Sequence, residues 1–268
     1  MTFRLVPLLL ATLLPGTSAL AATSLAPSLA GQYAGGSGAD ALFVKIDDNW
    51  RGSTVLWDEA TQTYGVGQAI GSFEWGTGVW GLADWNALID APAGQSPVLS
   101  AWSGIATTIN YGNTLYNSLY SAQWGLTSAM PMPELQTNWL ARFTGYIRIT
   151  EADSYNFSVL YDDGFLFNLI GENSETLSIG QDGVNPRDRL GFADDILLDV
   201  GLYRFELAAY NRLEAGVADL RWTRGGGGWE LVPADHLVTS PLPVPEPATW
   251  LMLAGGLGVL AAATRRRR

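Results

Sequence analysis

The stretch from Asn138 to Gly171 places apolar residues at every second position through three segments and is broken by two adjacent aspartates, and this pattern restricts the chain more than any other. Trp139, Ala141, Phe143, Ile147 and Ile149 fall on one face of an extended segment and Arg142, Thr144, Tyr146 and Arg148 on the other, which predicts a half-buried β-strand. Tyr155, Phe157, Val159 and Tyr161 predict a second strand, with Asn156 and Ser158 facing away. Phe165, Phe167 and Leu169 predict a third. Between the last two lies Asp162-Asp163-Gly164, where Asp and Gly suit a tight turn. Two neighbouring carboxylates repel unless a cation sits between them, and a hard cation with oxygen ligands fits.

Further strands are expected at Ile196 to Val200, Tyr203 to Tyr210 and Val217 to Arg224, with two short ones between Asp40 and Trp57. Glycine-punctuated aromatic strands are expected through Phe73, Trp75, Val79, Trp80 and Trp85. Outside the termini no stretch shows sustained helical periodicity. Ala22 to Gly38 reads as an Ala/Ser/Gly/Pro linker, and the polar run Gly171 to Phe192 as a long surface loop of the kind that carries binding contacts. Residues 90–100 mark a candidate boundary, but nothing there is long enough for an interdomain linker, so one continuous sandwich is expected.

In their order along the chain, Trp139 with Phe143-Thr144-Gly145, Asp153 to Phe157, Asp162-Asp163-Gly164, Tyr203 to Leu207, Tyr210, and Gly216-Val217-Ala218 with Leu220 and Trp222 resemble the protective-antigen-type (PA fourteen-like) domain. The resemblance covers roughly residues 100–238. It implies an all-β fold, an antiparallel β-sandwich, here taken to span 23–240. In the adhesin branch of that family an Asp pair joined by a cis bond holds calcium, which grips vicinal sugar hydroxyls, and a later asparagine completes the site. By position these residues are Asp162, Asp163 and Asn211.

Both termini read as address labels. Residues 1–22 combine Arg4, an apolar run and the small-residue site Ala19-Leu20-Ala21-Ala22, the pattern of a signal peptide with its helix. Residues 244–268 place Pro245-Glu246-Pro247 before a short apolar helix at 248–263 and a tail of four arginines, Arg265 to Arg268. This resembles the Pro-Glu-Pro C-terminal sorting signal (PEP-CTERM) of Gram-negative bacteria. The resemblance implies an exosortase-type membrane peptidase as partner, transient inner-membrane insertion as a transmembrane helix, and release or attachment at the cell surface, in bacteria that make exopolysaccharide. At 16 residues the segment is short for a permanent span of about 20. A plain tail anchor is the competing reading.

Arg4 and Arg265 to Arg268 supply five of the 15 basic residues and Glu246 one of the 26 acidic ones, so residues 22–244 hold 10 basic and 25 acidic residues, net −15. That balance argues against nucleic acid or anionic lipid as a partner. The chain has no cysteine and one histidine, His236, and no nucleophile elbow, so a zinc site or a Ser-His-Asp triad is not expected. A glycosidase carboxylate pair stays open at this point, since separation in space is not visible in sequence. Asp47-Asp48-Asn49 and Asp194-Asp195 are rival oxygen clusters that read as solvated turns. Most of the 11 tryptophans are expected in the core, with Trp229, beside Gly225 to Gly228, the exception that could stack on a sugar ring.

The sequence therefore predicts an exported, non-enzymatic carbohydrate-binding module, with calcium at Asp162, Asp163 and Asn211 and an extracellular polysaccharide as ligand. The other reading is a structural or protein-interaction component of the biofilm matrix.

Overall fold

The computed structural model describes residues 23–30, 33–50, 55–58, 63–66 and 77–243. The expected signal helix, the sorting segment from residue 244 onward, Phe73 and Trp75 lie outside them. Among the described residues no helix is long and apolar enough to cross a membrane.

In chain order the strands are β1 (Thr23–Leu25), β2 (Leu29–Ala30), β3 (Tyr33–Ser37), β4 (Ala39–Ile46), β5 (Val55–Asp58), β6 (Thr63–Val66), β7 (Val98–Ala106), β8 (Asn110–Gly112), β9 (Ser128–Ala129) and β10 (Trp139–Ile149). They continue with β11 (Asp153–Asp162), β12 (Gly164–Ile170), β13 (Thr176–Gln181), β14 (Asp188–Gly191), β15 (Ile196–Leu198), β16 (Gly201–Asn211), β17 (Val217–Arg224), β18 (Glu230–Leu231) and β19 (Leu237–Pro243). Among the described residues three short α-helices interrupt them: α1 (Leu82–Leu88), α2 (Thr114–Leu119) and α3 (Ser121–Trp124).

Two sheets face each other. The first runs β1-β15-β11-β17-β8-β9, with β14 beside β11 and β18 beside β17. The second runs β13-β12-β16-β10, and β10 then shares its far edge between β4, along Trp139 to Thr144, and β19, at Tyr146 and Ile147. Gly145, at φ 149°, sits where the partner changes, and a Cβ there would meet the Val238 carbonyl oxygen at 2.9 Å. Only glycine fits that step. Strand β7 continues the second sheet beyond β4 and begins at Val98, so residues 90–100 are not a domain boundary.

The alternation read from sequence is the core. Trp139, Phe143, Ile147, Tyr155, Phe157, Val159, Phe165, Phe167 and Leu169 all point between the sheets, joined by Tyr203, Phe205, Leu207, Leu220 and Trp222. Burial of this many large side chains, each worth about 1.5–3 kcal/mol, is what holds the two sheets together.

Several expectations are corrected. Strand β10 is more than half-buried, because α1 covers the outer face of its sheet: Trp85 and Leu88 pack on Val44, Leu140 and Tyr210, and Trp85 Nε1 donates to the Ala141 carbonyl at 3.0 Å. Trp85 thus lies in a helix, not a strand, and a seven-residue helix is too short to show a period. The run Ala22 to Gly38 is not a linker. Within it β1 pairs in parallel with β15 and β3 pairs with β19 through backbone groups, which demand no apolar pattern. For the same reason the polar run Gly171 to Phe192 contains β13 and β14, leaving only residues 182–187 as the loop between them.

The largest correction concerns the aspartates. Strand β11 belongs to the first sheet and β12 to the second, so Asp162-Asp163-Gly164 is not a turn of a hairpin but the crossing from one sheet to the other.

Candidate functional site

The crossing places Asp162 on the outer face of the first sheet, in phase with Ser158 and Leu160, and Asp163 at the seam between the sheets. Both carboxylates are buried, with Asp162 8% and Asp163 6% exposed. The peptide bond joining them is cis, as the family resemblance implied. Asp163 is clamped by the end of β16: its N–H donates to the Tyr210 carbonyl at 2.9 Å, and its Oδ2 accepts the Arg212 N–H at 2.7 Å. Burial pushes the Asp162 carboxyl up to about 6 and the Asp163 carboxyl up to about 7. The Arg187 guanidinium and the Arg212 N–H pull the other way without overcoming it.

Asn211, the third residue expected at the site, stands between Tyr210 and Arg212 at the end of β16, beside this clamp. It is fully buried, and neither its Oδ1 nor its Nδ2 has a hydrogen-bond partner. Such an orphaned amide is rare, because each buried polar atom left unpaired costs about 1–3 kcal/mol. Gly216 packs on it so closely that a Cβ would meet Asn211 Cγ at 2.7 Å.

Two loops and the C-terminal end of α2 wall the site. Loop 212–216 is held by Asn113, whose Nδ2 donates to the carbonyls of Glu214 at 2.6 Å and Gln136 at 2.8 Å. The Asn113 Oδ1 also caps α2 by accepting the Tyr116 N–H, so one side chain ties the loop to the helix whose C-cap is Tyr120. Loop 182–187 is braced by Asp182, whose Oδ1 accepts the Tyr210 hydroxyl at 2.9 Å and the Leu82 N–H at 2.7 Å. From that loop Arg187 reaches Asp162 Oδ2 at 2.6 Å and lies 3.6 Å over the Tyr120 ring. Arg212 stacks at 3.9 Å on Trp80 and donates Nε–H to the Thr77 carbonyl.

Together these walls enclose an open cavity of about 470 Å³ lined by Tyr120, Asp162, Asp163, Arg187, Arg212 and Glu214, among others. Sequence reasoning identified the aspartates and missed Tyr120, Arg187 and Arg212, although it expected binding contacts from the polar run that holds Arg187. The signal for Arg187 was weak, since nothing local pairs a basic residue with an acid 25 positions away.

The other sequence candidates fall elsewhere. Trp229 is 42% exposed, but its neighbour Glu230 pairs with Trp222, five residues along β17 from Val217, the partner of Asp162. At ~3.3 Å per residue that is roughly 17 Å away, so the structure does not bring Trp229 to the aspartates. Asp47 Oδ1 accepts the Asn49 N–H in a local turn, Asp48 pairs with Lys45, and Asp195 accepts from Asn156. His236 packs edge-on against Trp222 and bonds the Arg148 carbonyl at 2.6 Å. Among the described residues no three acidic, histidine or cysteine side chains converge, so a cation at the Asp pair would draw the rest of its shell from amide, backbone or ligand oxygens.

No curated protein matches the chain. Similar solved structures include a PA14 sugar-binding domain from an RTX adhesin, at 16% identity over 76% of this chain and 99% of that one, TM-score 0.46. The PA14 domain of the MpAFP antifreeze protein is 16% identical over 81% and 98%, TM-score 0.43. The Epithelial Adhesin 6 A domain from Candida glabrata, solved with Galb1-3GlcNAc, is 13% identical over 84% and 99%, TM-score 0.47. Along the sequence, Pro245-Glu246-Pro247 and the residues around it match a known family profile: the chain carries a PEP-CTERM protein-sorting motif at residues 243–268.

Proposed function

We propose that the protein is a non-catalytic carbohydrate-binding module, which takes a sugar in the cavity at Asp162 and Asp163 with calcium as the bridging cation. The observation that carries the reading is Asn211: a fully buried amide oxygen with no partner, on the residue between Tyr210 and Arg212, whose backbone groups clamp the buried Asp163. A hard cation supplies the missing partner and offsets the repulsion between Asp162 and Asp163. These three side chains fit calcium, and when bound it would offer open positions to a pair of sugar hydroxyls. The chain's own part is to fix the carboxylates at the sheet crossing, exclude water beneath them, and present Tyr120 and Leu213 at the rim for the apolar face of a sugar ring.

With the sorting motif, this makes the protein a module delivered to the surface of a Gram-negative cell through transient membrane insertion and cleavage near Pro245-Glu246-Pro247 by an exosortase-type peptidase. There an exopolysaccharide of the biofilm matrix is the expected ligand. A second reading, a matrix component with no sugar site, is favoured by the ion pair between Asp162 and Arg187, because it already supplies a counter-charge to one carboxylate.

The test is a glycan and exopolysaccharide array probed with the purified protein in calcium and in chelator. Binding that disappears in chelator, and with Asp162→Ala plus Asp163→Ala, supports the first reading. Binding in neither buffer leaves the second.

A further inference from the structure

Arg187 is an unusual neighbour for a cation site. Its Nη2 sits 2.6 Å from Asp162 Oδ2, both side chains are only 11% exposed, and the guanidinium lies flat on Tyr120 at 3.6 Å with Tyr116 beyond at 5.5 Å. A cation bound to Asp162 Oδ2 would stand about 2.3–2.6 Å from it, and Nη2 is already at 2.6 Å from the same oxygen. Two positive groups crowded on one carboxylate oxygen repel each other. The seat is also incomplete: Arg187 Nε is buried without an acceptor, and the nearest further contact of Nη2 is the Ala215 carbonyl at 3.5 Å. The guanidinium is thus held by one carboxylate, a long bond to the Ala215 carbonyl and the rings of Tyr120 and Tyr116, at the end of a six-residue loop, and can leave without breaking a strand ladder.

We infer that Arg187 is a resident counter-ion of Asp162, and that a divalent cation enters the site only by displacing it, so that Arg187 sets the affinity of the site for metal. The inference rests on the proposed role of Asp162 as a cation ligand. It adds that the protein has a closed, guanidinium-paired form and an open, metal-paired form. In the open form the displaced guanidinium stands at the cavity rim beside Tyr120, where it can meet the bound ligand. Asp163, which no guanidinium holds, and Asn211 are the same in both forms.

Calcium chloride is titrated calorimetrically into the full protein and into Arg187→Met, whose unbranched side chain still covers Tyr120. Arg189→Met serves as control, since Arg189 lies two residues on but pairs with Asp219, which keeps Arg221 as a second partner. Removing the resident cation is expected to tighten calcium binding at least tenfold, while the Arg189 control stays within about twofold of wild type. On the wild-type protein, the Arg187 Nε–H resonance is expected to move from a stacked to a solvated position as calcium is added, a readout that does not depend on any variant folding. Tight binding to Arg187→Met with none to wild type keeps the inference and overturns calcium as the native cofactor. Equal calcium affinity in the two proteins, with an unmoved resonance, overturns the inference and keeps calcium. Binding to neither overturns both.

Discussion

Replacing Asp163 by Asn should stabilise the protein in chelator, and by an amount that depends on pH. Burial raises this carboxyl from 3.8 to about 7, so the folded chain holds the proton longer than the unfolded one. The stability tied to this group is therefore fully present below about pH 3.8 and is lost as pH rises toward 7. Three pKa units correspond to about 4 kcal/mol lost above pH 7. Asparagine cannot ionise and can still accept the Arg212 N–H, but its amide hydrogens need partners, which costs about 1–2 kcal/mol. The net gain at pH 8 is about 2–3 kcal/mol, or roughly 5–10 °C in melting temperature for a domain of this size. At pH 4 the gain disappears and the amide cost remains. Melting curves of both proteins at pH 4, 5.5, 7 and 8 in chelator check this. A melting-temperature difference that does not change across that range would refute the argument that burial of the charge is what Asp163 costs the fold.

Asn113→Ala removes a helix cap, the side-chain tether to Glu214 in loop 212–216 and the bond to Gln136, and should cost about 2–3 kcal/mol in chemical denaturation and weaken ligand binding on the array. Gly216→Ala drives a Cβ into Asn211 at 2.7 Å and should cost about 1–3 kcal/mol, with cation affinity by calorimetry falling alongside stability. Trp229→Ala should leave array binding unchanged, because the side chain lies at the far end of β17; a loss of binding would move the site. Below about pH 6 calcium binding should weaken, as protons compete for both raised carboxyls, and the titration repeated at pH 5 reads that loss.

What the sequence made legible follows from which forces write a pattern. The inward faces of β10, β11, β12 and β16 were readable because burial between two sheets demands apolar side chains at every second position, and Phe143, Phe157, Phe167 and Phe205 obey it. The edge strands β1, β3, β13 and β14 were not, because backbone pairing leaves no mark on side-chain choice. Nor was the sheet crossing at Asp162-Asp163: a turn within a sheet and a passage between sheets use the same residues, and only the partners of β11 and β12 distinguish them. At the site the aspartates were visible as a repelling pair, whereas Arg187 and Tyr120 reach them from loops that are distant in sequence.

One buried side chain has a bearing on how this protein meets its chemical surroundings. Lys45 is the chain's single lysine, and its ammonium is sealed at 6% exposure with its hydrogens directed to Asp48, the Thr137 carbonyl and the Thr137 hydroxyl. Reducing sugars and aldehydes attack free ε-amines, and so do the ester reagents used to attach dyes or couple proteins to a sensor surface. This fold offers them no such amine. It is therefore spared glycation at lysine, and amine-directed reagents find no lysine to attack beside the cavity at Asp162.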